Sequence, residues 1–493
     1  MDYEVVVVGG GIGGLTTAAL LAKRGVSVCL FERQSRAGGC VANFEHLGYS
    51  FEPTAGLYSG WQTGGLYERL FSELSAKAPE IRRLSPAYIV RLPDRIDVPV
   101  SEDWDEFAET LRRTFPECAE AAVSFYRNLF DVAESWLGAN SRLRTWSEAK
   151  IHDVLKYRDQ LTSQHLTGTS PRFRRFVDVQ LQTFTQSASD ECSYLYSAIA
   201  LTAPHRGLWA IRGGAQTLAD ALAGSLKQSG GVLRLNSPVL RLAYGPDGAA
   251  IGVDLLSGER ITATRAIVSN LTIWDTYGKL IGLSRTPASI TAHLKRLRGW
   301  GAYLLFAGMN EAAASRLSAD ADHFLVLTDL HENLAYEPDE MQLVFSAAPQ
   351  WDPRAPMGHR AVTILTFTDV EDWFSFHEDE TAHEKQDQMM LETSWNRLHS
   401  ALPELGDGIE VIETATPRTF YETTRRRLGM VGAPGSTFAG VSPDQKFSVT
   451  HLPNVFLVGD TVCPGSGLEA VCQSAFALTD HLVSSPLART RKN

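Results

Sequence analysis

The sequence predicts an α/β protein of two interleaved units: a parallel sheet wound with helices, and a mixed α and β unit assembled from its insertions. Three observations predict it. A β-branched run from Tyr3 to Val8 passes straight into glycines and then into an alanine- and leucine-rich helix. A second apolar run, Val455 to Val458, opens another glycine-rich turn and helix more than 400 residues later. The 493 residues between and around them are 44% apolar and 21% charged, an ordinary globular mix with a large core available. No fixed-period repeat and no Pro/Gly/Ser linker divides the chain, so the units are expected to share it discontinuously.

The run YEVVVV alternates too little for a half-exposed strand and suits a central parallel strand covered on both faces. Gly9-Gly10-Gly11-Ile12-Gly13-Gly14 then satisfies G-x-G-x-x-G, Leu15 to Arg24 reads as a helix ended by Gly25, and Val26 to Phe31 as a second strand closed by Glu32. This βαβ unit is Rossmann-like. Gly9 allows the tight turn, Gly11 the approach of a pyrophosphate, and Gly14 close helix packing, while the helix N-terminus offers free N–H groups to phosphate. Glu32 stands 18 residues after Gly14, where a carboxylate accepts from both ribose hydroxyls and repels a 2′-phosphate. Gly9, Gly11, Ile12, Gly13, Gly14, Glu32 and Arg33 are the candidate contacts, and at this point the ligand is NAD or FAD.

Residues 32–39, ERQSRAGG, place Gly38 and Gly39 after the second strand. That double glycine resembles the flavoprotein arrangement in which the chain returns across the pyrophosphate. Arg36 is a candidate diphosphate contact or a solvated loop arginine. At the other end, Val455 to Val458 runs into Gly459-Asp460, the loop TVCPGS, and a helix from Leu468 through Leu478. In the flavin reading, Asp460 takes the ribityl hydroxyls or caps the pyrophosphate contact. The N–H groups of Gly467, Leu468 and Glu469 then face the flavin N1 and O2 edge, where positive potential stabilises reduced flavin.

Taken together, the two ends resemble the carotenoid desaturase and isomerase branch of FAD-dependent oxidoreductases, which includes phytoene desaturases, carotenoid isomerases and retinol saturases. The middle carries the likeness further. Residues 209–218, WAIRGGAQTL, resemble that branch's GG-x-x-x-L segment, residues 265–270, RAIVSN, its A-x-x-V-V-S-N element, and Thr416 to Phe420 with Gly429 the stretch before the last strand. The resemblance implies a glutathione reductase type of FAD domain from residues 1–100, 205–272 and 415–493. It implies a mixed α+β substrate domain from 101–204 and 273–414, non-covalent FAD, and Val239 offering its backbone to the adenine. It also implies desaturation or cis–trans isomerisation of a long apolar polyene. Two departures weaken desaturation: residues 49–56 read YSFEPTAG where many relatives have F-x-F-D-x-G, and the loop before Leu468 is nearer the isomerase and saturase type. The alternatives are a retinol saturase-like enzyme, an amine oxidase-like enzyme with a paired aromatic cage, and an FAD-containing lipid-binding protein without turnover.

A polyene has no carbonyl or phosphate, so its site needs shape, dryness and a flavin within hydride reach. Glu469, beside the expected flavin edge, is the candidate acid or base, although a helix-start carboxylate is stabilised there in any case. Tyr58 and Trp61 are candidate substrate contacts, or space-fillers. Phe115, Phe125, Leu129, Val132, Trp136 and Leu137 recur at helical spacing, and Arg172, Arg174 and Arg175 sit among Phe173, Phe176, Val177 and Leu181. These stretches are core faces or membrane-surface helices.

Composition closes off other chemistry. Forty-six basic and 57 acidic residues give a net charge of −11, which opposes a general nucleic-acid surface. Six cysteines form no CxxC pair and read as reduced thiols in a cytoplasmic setting, with Cys40 and Cys463 as apolar filler rather than covalent flavin anchors. No export signal or membrane span is expected, and peripheral association with a membrane surface stays compatible. No G-x-S-x-G elbow occurs. His377 and His383 are wrongly spaced for H-E-x-x-H and read as a polar surface loop, so no metal is expected.

Overall fold

A computed structural model describes residues 2–141, 154–297, 299–317, 321–330, 335–374, 380–432, 448–461 and 467–484. Asp2–Val8 is the central strand of the first sheet, and Val5, Val6 and Val7 are wholly buried because helices lie over both faces. Val28–Phe31 pairs parallel on one side and Arg260–Ser269 parallel on the other. Val232–Arg234 extends the sheet beyond Val28–Phe31. Arg260–Ser269 is long enough to serve two neighbours. Its first half pairs antiparallel with Ala250–Leu255, and its second half parallel with Val455–Leu457. The C-terminal strand therefore lies two places from the N-terminal one, and the glycine turns that follow the two strands open at the same edge of the sheet. Helices Ile12–Lys23, Ala215–Gln228 and Gly467–Ser484 share one core with this sheet.

The second sheet has seven strands, in the order Ile409–Ala415, Trp300–Asn310, His359–Asp369, Gln342–Ala347, His323–Leu327, Tyr88–Arg91, Asp97–Val100. All neighbours are antiparallel except Tyr88–Arg91 beside His323–Leu327. This moves a boundary. Sequence assigned residues 1–100 to the first unit, whereas Tyr88–Val100 forms an edge hairpin of the second sheet. A short amphipathic hairpin signals that it has a buried side, but not which sheet supplies the partner. That partner, His323–Leu327, is remote in sequence.

The two amphipathic stretches are core. Phe115, Phe125, Leu129 and Val132, together with Phe173, Phe176, Val177 and Leu181, are buried in one cluster that also holds Leu325, Leu327 and Val344 of the second sheet. Trp136 packs half-buried against the same cluster. Of the two sequence readings, membrane-surface helix and core face, the packing takes the second. Arg172 and Arg175 are paired, with Asp94 at 2.7 Å and Asp178 at 3.2 Å, and Arg174 donates to the Leu166 carbonyl. His383 lies on the helix Glu380–Ala401 rather than in a loop, while His377, Cys463 and the tail 489–493 fall outside the described residues. No described helix is long and apolar enough to cross a membrane.

Candidate functional site

Where the two strand-to-turn corners meet, a cavity of about 840 Å³ opens, within the range of small-molecule and cofactor sites. The first corner is built by close approach of backbone. A Cβ added to Gly14 would stand 2.1 Å from the Gly9 carbonyl oxygen, and one on Gly11 would stand 2.6 Å from Asn270 Nδ2. Any side chain at either position would close the turn. The Gly38 amide donates to the Gly10 carbonyl at 2.8 Å, which draws the double-glycine loop across the start of helix Ile12–Lys23. Gly9, Gly11, Ile12, Gly13, Gly38 and Gly39 all line the cavity, whereas Gly14 stands behind it as a packing residue.

Glu32 is buried at the cavity wall. One carboxylate oxygen accepts from the Gly10 amide at 2.7 Å and the other from the Gln34 amide at 2.8 Å. A carboxylate has about four acceptor positions, so two stay available to a pair of vicinal hydroxyls. Pro238, Val239 and Leu240 form the wall beside it, and Val239 begins the strand Val239–Tyr244. A ribose flanked by an apolar slot for a planar base fits these residues. Arg33 and Arg36 also reach the wall, but each already donates to a backbone carbonyl, Arg33 to Thr423 at 2.9 Å and Arg36 to Asn43 at 3.5 Å.

At the second corner Gly459 and Asp460 line the cavity, with Leu468 and Val471 from the first two turns of helix Gly467–Ser484. Two helix starts thus converge on one space, and both favour negative charge there. Asp460 is not free. Arg426 pairs with it at 3.0 Å and also donates to the carbonyls of Met430 at 2.7 Å and Gly432 at 3.2 Å. Burial works against the charge on Arg426, but Asp460, with Cys40 and Asp275, outweighs it and holds the guanidinium pKa above its ordinary value. Phe44, Pro53, Phe306, Ala415 and Phe420 give the wall an apolar part, beside polar residues that include Thr272, Asp275, Lys279, Thr414 and Thr419; Phe44 and Phe306 stack at 5.2 Å.

Four candidates lie off this wall. The Glu469 side chain packs against Gly60, where an added Cβ would stand 2.9 Å from its Cγ and Cδ. Its charge acts on Arg206, whose pKa burial lowers and Glu469 raises. Gly467 is likewise absent from the wall. Tyr58 is a buried structural residue: its hydroxyl bonds to Glu52 and, at 2.8 Å, to Thr54, while its backbone pairs with Trp209. Trp61 stacks on Tyr67 with centroids 4.1 Å apart. Tyr58 and Trp61, expected as substrate contacts or space-fillers, and Glu469, expected as the acid or base, therefore stand outside the lining of this cavity.

Two residues were missed. Asn270 ends the strand Arg260–Ser269 and sits among Gly9, Gly11, Gly13 and Gly459, joining both corners; the RAIVSN segment carried its signal. Arg426 had none. It is the middle one of three arginines, and only the left-handed turn at Arg425, φ 58°, sends it inward.

Burial disfavours the thiolate at four of the described cysteines. Burial pushes Cys29 up to about 12 and Cys192 and Cys472 up to about 11, and it raises Cys40 despite Arg426 beside it. Among the described residues no cluster of His, Cys, Asp or Glu could hold a metal.

Residues 12–477 match the protein family described as flavin containing amine oxidoreductase. The chain is 26% identical over 515 aligned positions to prolycopene isomerase 2 of an Oncidium hybrid cultivar, covering 100% of this chain and 85% of that one. It is 24% identical to an all-trans-retinol 13,14-reductase of Danio rerio, covering 99% of this chain and 86% of that one. Among solved structures, an oxidoreductase from Methanosarcina mazei superposes with a TM-score of 0.67 at 16% identity, over 97% of this chain and 100% of that one. That likeness concerns the fold.

Proposed function

The chain belongs to the family of flavin-containing amine oxidoreductases, and from that premise we propose that it holds FAD non-covalently and acts on a long apolar polyene of carotenoid type. The reaction is desaturation or cis–trans isomerisation. The observation that carries the substrate class is likeness along the entire chain to a prolycopene isomerase. Phe44, Phe306 and Phe420 in the cavity wall support it by offering apolar surface.

The residues present fit FAD. Glu32 would hold the adenosine ribose, Val239 the adenine, and the amides at the start of Ile12–Lys23 the diphosphate, while Arg426 and Asp460 would meet the phosphate and ribityl portion. Bound flavin supplies the capacity to take or give a hydride or an electron at carbon. The chain contributes position and local field. Phe44, Phe306 and Phe420 offer apolar contact surface, and the positive end of helix Gly467–Ser484 biases that side of the cavity toward negative charge. Peripheral membrane association and an apolar small-molecule substrate belong to the same reading.

A second reading, reduction of one double bond, is favoured by the likeness to the retinol reductase. One experiment separates them. Purified holoprotein is incubated with phytoene and with poly-cis-lycopene, once oxidised and once with the flavin reduced, and the products are resolved by chromatography and mass. Isomerisation keeps the mass, desaturation loses a hydrogen pair and saturation gains one. If neither polyene changes under either condition while an amine is consumed, the polyene assignment fails.

A further inference from the structure

We propose that two neighbouring turns, carrying Leu47 and Met357, dock the protein on an electrically neutral lipid surface. The inference rests on the polyene reading above and names where such a substrate is collected. Leu47 lies between the paired residues His46 and Tyr49 in a two-residue hairpin turn, with φ 47° at Leu47 and 82° at Gly48. Both central residues of such a turn need positive φ, and Asn, Asp or Gly ordinarily supply it. A leucine there is strained, and this one is 70% exposed. Neither turn geometry nor burial accounts for it.

Met357 repeats the pattern. It is 99% exposed at the tip of a turn closed by the His359 amide on the Pro356 carbonyl at 3.0 Å. The two tips are neighbours: a Cβ on Gly48 would stand 3.5 Å from Pro356 Cγ. Behind them an aromatic layer leads inward. His359 meets Tyr49 edge-on at 6.4 Å, Tyr49 stacks on Phe51 at 5.3 Å, Phe51 on Phe306 at 5.1 Å, and Phe306 and Phe44 stand at the cavity wall. The exposed tips and the cavity are two ends of one apolar path.

Charge selects the occupant. Glu45, His46 and His359 are the exposed polar residues on the paired strands beside the tips, and the chain carries a net −11. An anionic surface is recognised by clustered Lys and Arg, so the lipid face here is zwitterionic or uncharged. Two isolated side chains are also far from the roughly 800 Å² per partner of a protein interface.

The test is co-flotation of holoprotein with phosphatidylcholine vesicles, with and without phosphatidylserine. The wild type is expected to float with phosphatidylcholine, and phosphatidylserine is expected not to increase binding. The double variant Leu47→Asn, Met357→Ser should lose at least tenfold in bound fraction while its melting temperature stays level or rises, because asparagine suits the turn. Its turnover of polyene presented in detergent micelles should match wild type. A variant that floats like wild type, a wild type that does not float, or binding that appears only with phosphatidylserine overturns the proposal. A wild type that floats but converts no polyene in micelles leaves the docking surface standing and removes the polyene reading.

Discussion

Replacing Glu32 by Ala tests the ribose assignment directly. In the unliganded protein its carboxylate satisfies two backbone amides, and Gly10 N–H is buried. Hydrogen bonds to a charged group contribute about 1.5 to 3 kcal/mol each. The Gln34 amide can turn to water, so the expected loss of apoprotein stability is about 2 kcal/mol. Cofactor binding should suffer more. Two ribose hydroxyls lose a charged acceptor, about 3 kcal/mol at the lower end, or roughly 150-fold in Kd. Glu32→Gln keeps one acceptor but turns an NH₂ donor toward one of the amides, and should fall between the two, at roughly tenfold. Titrating apoprotein with FAD by quenching of flavin fluorescence, beside thermal melts of the same samples, separates the effects. If Glu32→Ala melts lower yet binds FAD within about threefold of wild type, the carboxylate merely ties the turn and the ribose role is wrong.

Three other outcomes follow from the same structure. Arg426→Ala leaves Asp460 facing the cofactor crevice without its partner, so FAD should be held at least about tenfold more weakly. Arg426→Lys should recover part of this but not all, because the donors to Met430 and Gly432 are lost, as flavin retained through gel filtration would report. Arg354 is buried between Glu52 at 3.2 Å and Asp352 at 2.8 Å, and Arg354→Met strands two buried carboxylates; chemical denaturation should show a loss of about 3 to 5 kcal/mol. Burial pulls His323 down to about 4, with Asp322 and Glu52 opposing and Arg360 and Arg354 adding to it. A histidine lowered on folding takes up its proton first in the unfolded chain, so stability falls as pH drops from 6.5 toward 4. The loss at pH 5 is about 2 kcal/mol, and His323→Asn should flatten the wild-type slope between pH 7 and 5 by that amount in denaturation midpoints.

Most of the nucleotide corner was legible because its signals are local. YEVVVV, the glycines, the helix and Glu32 lie within one βαβ unit, and most of these residue types answer constraints set within it, such as the Gly9 carbonyl that faces Gly14. The join between the termini was legible too, since Val455–Leu457 and the glycines after it repeat the same strand-to-helix grammar. That Glu469, Tyr58 and Trp61 stand outside the lining of the cavity was not legible, for the opposite reason. Their positions in sequence are near the cofactor loops, but the direction of a side chain depends on what else competes for it. The Glu469 side chain lies against Gly60, the Tyr58 hydroxyl donates to Glu52, and Trp61 stacks on Tyr67.

The sequence by itself determined the sheet's central strands, the two glycine corners and the carboxylate of Glu32 that closes the second strand, because backbone sterics and short-range hydrogen bonding leave few residues able to do those tasks. Only the tertiary structure decided that Tyr88–Val100 joins the second sheet, that the apolar helices are core, that Arg426 turns inward onto Asp460, and that the turns carrying the exposed Leu47 and Met357 are neighbours. Those outcomes depend on contacts between residues distant in the chain, where many pairings satisfy the same local pattern and packing selects one.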